Sequence, residues 1–407
     1  MGGVKTTSLL LEPGFRNLYL GSAVSAFGAQ VGYVALPLLA VTTLHAGAGQ
    51  VGLLSALATI SVLVVGLPAG AWIDRMRKKP LMIVADLVRA VLLASVPVTA
   101  WLGGLTMEHL YAVAALTGVG TLFFDVAAQS LVPRLVGRER LTEANSLLVG
   151  TNAAMDISGR SFAGVLVGAA GAPAAVLLNA AGYLGSALFL RGVPAIETPP
   201  AHGPRHKLAT QIGEGVRFVL GHATLRPIVL QGAMTNLGFP LYSVLLPVLV
   251  VSQLGYPEWV LGLYLAVGGV GTLAGSATAH HVGGRLGRGR AVWIVSLITT
   301  PASLLVPLLN DGAWIWVSAA AWFALTYRTG LNNVLLVSFR QRVTPDEMLG
   351  RVNATMRLIL MGAVGIGGLL AGLVGELWGV RAALWAGALF MSLSWVPIYF
   401  SPLRAER

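Results

Sequence analysis

The residues with the most chemical potential in this sequence are an acid and a base four positions apart in an otherwise apolar stretch, Asp156 and Arg160. That spacing puts both on one face of a helix. At about 1.5 Å of rise per residue from Ser146, Asp156 lies roughly 15 Å deep, near the middle of a hydrocarbon layer about 30 Å thick. Burial favours the neutral carboxyl there and the neighbouring guanidinium favours the charged one. The pair therefore either neutralises itself permanently or takes up and releases a proton, and Arg160 alone has the geometry to clamp an anionic group.

Few other ionisable groups interrupt the apolar stretches, and each costs about 2.5 to 3.5 kcal/mol to insert unless it has a partner or a purpose. Asp125 and Arg89 fall at similar depths, with Asp86 three residues before Arg89. Three readings follow for them: an Asp125–Arg89 pair, a link from Asp125 to Arg75 that holds a gate, or proton transfer. Arg328 stands alone in its stretch, with Asn332 one turn further on. A role facing a cavity is expected for it, either binding a ligand or pairing with Asp156. Gln30, Gln129, Gln231 and Asn236 are further polar candidates for a cavity wall, or else hydrogen bonds between helices.

Enzyme signatures are missing from the sequence. Its seven histidines lie in loops or at the ends of apolar stretches, it has no cysteine, and no glycine-rich phosphate loop followed by Lys-Ser/Thr occurs. No catalytic residue, metal site or cofactor is expected. A process run without ATP machinery draws on an ion gradient or on the gradient of its own ligand, and one proton crossing 100 mV is worth about 2.3 kcal/mol.

The elements that position these residues follow from composition. Apolar residues make up 56% of the chain and charged ones 11%, half or less of what a soluble domain carries. Apolar runs of helical length predict spans near 17–43, 50–72, 81–103, 109–133, 144–169, 173–193, 227–252, 259–282, 291–309, 313–338, 353–376 and 381–402. Of 27 lysines and arginines, 22 fall in segments that follow an even number of spans, and only Arg381 falls in those on the other side. Positive loops stay in the cytoplasm, so this asymmetry predicts twelve spans with both termini inside. The net charge of +11 is thereby assigned to loops beside anionic lipid and not to nucleic acid. Scarce lysine beside abundant arginine, alanine and glycine points to a bacterial cytoplasmic membrane. The first span is too long for a signal peptide and is expected to be retained.

Between the sixth and seventh spans, Pro199, Pro200, Gly203 and Pro204 precede an apolar period at Leu208, Ile212, Val216, Val219 and Leu220. This reads as an amphipathic helix on the cytoplasmic surface. The chain is thus expected to divide into a six-helix bundle at 1–194, a linker at 195–226 and a second bundle at 227–407. A shift of 208 residues sets Arg134–Asn145 on Arg342–Asn353 with four identities in twelve, and pairs Gly159 with Gly367, Gly164 with Gly372 and Gly171 with Gly379. Small residues four apart, as at Gly28/Gly32, Gly271/Gly275 and Gly368/Gly372, provide faces for close helix packing.

The connection Gly70-Ala-Trp-Ile-Asp74-Arg75-Met-Arg77-Lys78-Lys79 resembles the signature loop of the major facilitator superfamily. Asp86-Leu-Val-Arg89, Leu131-Val-Pro133-Arg134, Leu141-Thr-Glu-Ala-Asn145 and Leu349-Gly-Arg-Val-Asn353 resemble its branch of macrolide-efflux and enterobactin-exporter proteins. The matching loop of the second half keeps Arg285, Arg288 and Arg290 but has no acid, and the fifth span reads Gly159-Arg160 where drug antiporters often have Gly-Pro. The resemblance implies an all-α polytopic membrane protein, twelve transmembrane helices in two pseudo-symmetric bundles. It also implies export of an amphipathic small molecule, a drug or secondary metabolite, by proton antiport, with the bilayer and protons as partners and a monomer as the unit. Lysolipid or siderophore movement is the alternative within transport, and a membrane receptor or sensor the alternative outside it.

On this reading Asp156, Asp125 and Asp86 couple protons, while Arg160, Arg328, Asn332, Gln30 and Asn236 bind substrate. Gly70, Asp74, Arg75, Arg77, Lys78 and Arg89 form a cytoplasmic gate.

Overall fold

A computed structural model describes residues 9–74, 76–137, 139–194 and 208–405. Among them there is no strand, and thirteen α-helices follow in order: α1 (Pro13–Leu44), α2 (Ala48–Asp74), α3 (Lys78–Trp101), α4 (Met107–Val136), α5 (Leu141–Arg191), α6 (Leu208–Gly221), α7 (Leu225–Ser243), α8 (Glu258–Leu286), α9 (Arg288–Thr299), α10 (Trp314–Val343), α11 (Asp346–Trp378), α12 (Val380–Ser392) and α13 (Val396–Tyr399). α7 runs on through a π turn at Val248–Gln253, and α9 through a 3₁₀ segment at Thr300–Leu308. Pro301 and Pro307 in that segment lack the N–H that an α-helix needs.

Ten stretches among the described residues are long and apolar enough to cross a membrane. One of them, Glu143–Arg191, contains two lengths, because Gly171 breaks it with φ 81° and ψ 160°. Gly379, its partner in the sequence repeat, separates α11 from α12 with φ 90° and ψ 159°. Both angles lie where only glycine is comfortable, so the same backbone break recurs in each half. α10 has the length for a span but is not among the ten; Arg328, Asn332 and Asn333 lie in its middle.

By packing, the described residues form two units. Unit 1 holds those up to Leu44 and those from Val64 to 194; unit 2 holds His45–Leu63 and those from 208 onward. α2 therefore changes unit along its length. A membrane helix that is apolar all round gives no periodic signal of such a change. Within unit 2 the first half of α2 lies against α11, where a β-carbon on Gly52 would sit 2.3 Å from Gly372 Cα. There the Gly49 N–H donates to the Glu376 carboxylate at 3.1 Å.

In unit 1, α1 packs along both lengths of α5, and α3 packs on α4 and α5. In unit 2, α7 packs on α11 and α12, and α8 on α10. The repeat is again visible at the contacts. A β-carbon on Gly159 would meet Gln30 Cβ at 2.7 Å and Phe27 O at 2.9 Å, and one on Gly367 would meet Leu237 O at 2.4 Å.

α6 is docked against unit 2. Val219 is fully buried with Leu225, Val352 and Met356, and Gly215 faces Thr355 and the Arg351 carbonyl. Glu214 and Arg351 form an ion pair of 2.8 Å at the edge of this contact. The apolar stripe expected on the membrane surface is thus turned in part onto α11.

Candidate functional site

Asp156 and Arg160 meet in unit 1 as their spacing predicts, at 2.6 Å. Their side chains keep 38% and 26% of their surface exposed, so the pair is open on one side. α1 closes the other side. Arg160 Nε donates to Gln30 Oε1 at 2.9 Å, and the guanidinium lies 4.6 Å from the centre of the Tyr33 ring. Gly159 permits this approach, since it allows α1 and α5 to come into backbone contact beside the pair. Phe27 of α1 and Phe162 of α5 also meet, with ring centroids 5.7 Å apart.

Arg160 is thus held by a carboxylate, an amide oxygen and an aromatic face. Only the first changes with protonation, so Arg160 remains anchored when Asp156 loses its charge. Tyr33 is the member of this cluster that sequence reasoning missed. Its signal is the three-residue spacing from Gln30, which puts both on one helical face.

Asp86 and Arg89 are buried in unit 1, where they form an ion pair along α3. Arg89 also donates to Thr121 Oγ1 at 3.1 Å and lies over the rings of Tyr183 at 4.0 Å and Phe124 at 4.8 Å. Ser186 stands beside the Asp86 carboxyl, although its hydroxyl does not reach hydrogen-bond geometry. A carboxylate on Arg89 is therefore Asp86, its neighbour three residues back. Asp125 is half-buried on α4.

Arg75 and the side chain of Asp74 lie outside the described residues, as does any contact between Asp125 and Arg75. Gly70 falls within α2, and Arg77 precedes α3 as its exposed N-cap. Lys78 donates to the Ile73 carbonyl. Lys79 donates to the carbonyls of Arg191 at 2.8 Å and Val193 at 2.5 Å. These bonds place cations on helix C-termini, where unpaired carbonyls and the helix dipole favour them.

In unit 2, Arg328 is fully buried. Its Nη1 donates to Ser394 Oγ at 3.1 Å and its Nη2 to Thr235 Oγ1 at 3.4 Å. It is enclosed among side chains of its own unit. Asn332 Nδ2 donates to Ser296 Oγ at 3.4 Å, and Asn236 Nδ2 to the Gly232 carbonyl of its own helix at 2.8 Å. Gln231 is buried, while Gln129 is exposed.

A charge pair beside a tightly apposed α1–α5 contact, in a chain of membrane-length helices built as two similar halves, is a transporter's architecture. The family model of the Major Facilitator Superfamily matches residues 18–366. The chain belongs to this superfamily.

The multidrug efflux pump Tap of Mycolicibacterium fortuitum is 27% identical over 86% of each chain. The enterobactin exporter EntS of Salmonella typhi is 26% identical over 85% of this chain and 81% of its own. Among solved structures, a bacterial homologue of the iron transporter ferroportin in an inward-facing state superposes with TM-score 0.74 at 18% identity, covering 97% of this chain and all of its own. The nucleoside transporter NupG gives a TM-score of 0.70 at 13% identity over 95% of this chain and 97% of its own. These two share the fold. The superfamily protein described here is a multi-pass membrane transporter and not an enzyme.

Proposed function

We propose that this transporter exports an amphipathic small molecule in exchange for protons by alternating access. It does so as a monomer with twelve spans and cytoplasmic termini in a bacterial cytoplasmic membrane. The observation that carries the reading is the Asp156–Arg160 pair with Gln30 and Tyr33, a charged cluster left open in the middle of a membrane-length helix. The names of Tap and EntS, an efflux pump and an exporter, agree with the outward direction.

In the cycle, a proton on Asp156 cancels its attraction for Arg160. Arg160 stays on Gln30 and Tyr33, and the electrostatic environment of the open side becomes more positive. Loss of the proton restores the ion pair. The affinity of the open side for a charged substrate thus differs between the two protonation states, which is the requirement for coupling substrate to proton.

Transport into inverted vesicles under an imposed pH gradient tests this, with substrate-dependent collapse of the gradient as the readout. Asp156→Asn is expected to abolish proton-driven flux while leaving membrane insertion and Tm near wild type. Unchanged flux in that variant defeats the assignment.

A further inference from the structure

Arg328 is a guanidinium in the interior of unit 2 with no carboxylate on it among the described residues. Its two terminal nitrogens are held by Ser394 and Thr235, both neutral hydroxyls. Its Nε–H meets no acceptor, and neither does the hydroxyl of Tyr242, a fully buried residue in electrostatic contact with Arg328. Both unpartnered groups are donors. The nearest unpartnered acceptor on α10 is Asn332 Oδ1, one turn further on, whose amide nitrogen is engaged by Ser296.

A buried ion without a counter-charge is destabilising, and so is each buried donor left unbonded. One bound anion offsets all three terms. The repeat shows what unit 1 does at the matching place. Ser186, 208 residues before Ser394, stands beside Asp86, whose carboxylate neutralises Arg89. Unit 2 keeps the serine, has Ile294 and Leu297 at the repeat positions of Asp86 and Arg89, and brings a guanidinium to the serine from α10 with no acid beside it.

We infer that Arg328 and Tyr242 bind a monovalent anion inside unit 2. The guanidinium supplies the charge and one N–H, the phenol supplies an O–H, and Ser394 and Thr235 fix the guanidinium plane. With a single positive charge present, a monoanion balances the site and a dianion does not. The ligand is a halide, or the single carboxylate or phenolate of an acidic cargo. The halide case is independent of the export reading, whereas the cargo case rests on it.

The test uses the purified full-length protein in detergent. Tm is followed as sodium isethionate is replaced by sodium chloride or sodium bromide at constant ionic strength, with sodium benzoate titrated in parallel. A saturable rise in Tm is expected with at least one of these anions. A rise with halide identifies an inorganic ion, and a rise with benzoate alone identifies a cargo-type carboxylate. Tyr242→Phe removes one donor to a charged ligand and is expected to raise the half-saturating concentration by about tenfold or more. A flat wild-type response to all three anions overturns the inference, as does an unchanged midpoint in Tyr242→Phe. Because the titration reads no transport, a failure of export in vesicles leaves its outcome intact.

Discussion

Ser186 and Ser394 occupy equivalent places in the two halves, and each stands beside a buried charge, but the charges are balanced differently. In unit 1 the acid and base lie three residues apart on α3, and two aromatic rings cover the guanidinium. In unit 2 the guanidinium comes from α10 and is held by hydroxyls alone. Duplication preserved the scaffold, and divergence changed what neutralises its interior. A charge neutralised within one helix stiffens the bundle whatever else is bound. A charge left without an acid is available to respond to a ligand.

The largest expected effect breaks this comparison at its stronger end. Asp86→Asn leaves Arg89 buried without a counter-charge, which typically costs about 3 to 5 kcal/mol. The paired change Asp86→Leu/Arg89→Met removes both charges and is expected to recover most of that loss. Arg328→Met in unit 2, measured in isethionate, is expected to cost less than Asp86→Asn because it removes an unpaired charge instead of creating one. Unfolding midpoints in detergent decide the order, and a harmless Asp86→Asn would show that its pair with Arg89 is not structural.

Much of this arrangement was legible in the residues, and the illegible parts share a cause. The Asp156–Arg160 contact follows from spacing along one helix, and the breaks at Gly171 and Gly379 follow from a repeat that paired them. The Asp86–Arg89 contact likewise follows from spacing along one helix, whereas depth alone does not say which side chains of a neighbouring helix face Asp125. Tyr33 required knowing which face of α1 turns to Arg160. The stripe on α6 suited lipid or protein, and only the docking of Val219 chose protein. The division of α2 between units left no mark, because lipid and neighbouring helices demand the same apolar side chains.

Repeat-related glycines provide a second, smaller test of how alike the halves are. A methyl group at Gly367 would meet a backbone carbonyl at 2.4 Å, and one at Gly159 would first meet a side-chain carbon at 2.7 Å. Overpacking of this kind costs about 1 to 3 kcal/mol, while alanine in a helix recovers about 0.8 to 1 kcal/mol relative to glycine. Gly367→Ala is therefore expected to lower the unfolding midpoint clearly, and Gly159→Ala by less, since its nearest contacts, Gln30 Cβ at 2.7 Å and Phe27 O at 2.9 Å, are longer than the 2.4 Å at Gly367. The reverse order would mean that α1 is the stiffer of the two partners.

The smallest effect concerns the segments that lead into each bundle. Glu12, just before α1, pairs with Arg140 at 2.5 Å, and Glu214 on α6, just before α7, pairs with Arg351 at 2.8 Å. The latter side chains are 48% and 36% exposed, so solvent screens most of their attraction. Glu214→Gln is expected to cost no more than about 1 kcal/mol. The difference from wild type should vanish at 1 M salt, where the screening length falls to about 3 Å. α6 should remain docked throughout, because Val219 and the close approach at Gly215 hold it without charge. Amide exchange along α6 reads that directly. Rapid exchange in Glu214→Gln would show that the ion pair, and not the apolar contact, secures this helix, and would make the entry to unit 2 as dependent on charge as the Glu12–Arg140 contact at the entry to unit 1.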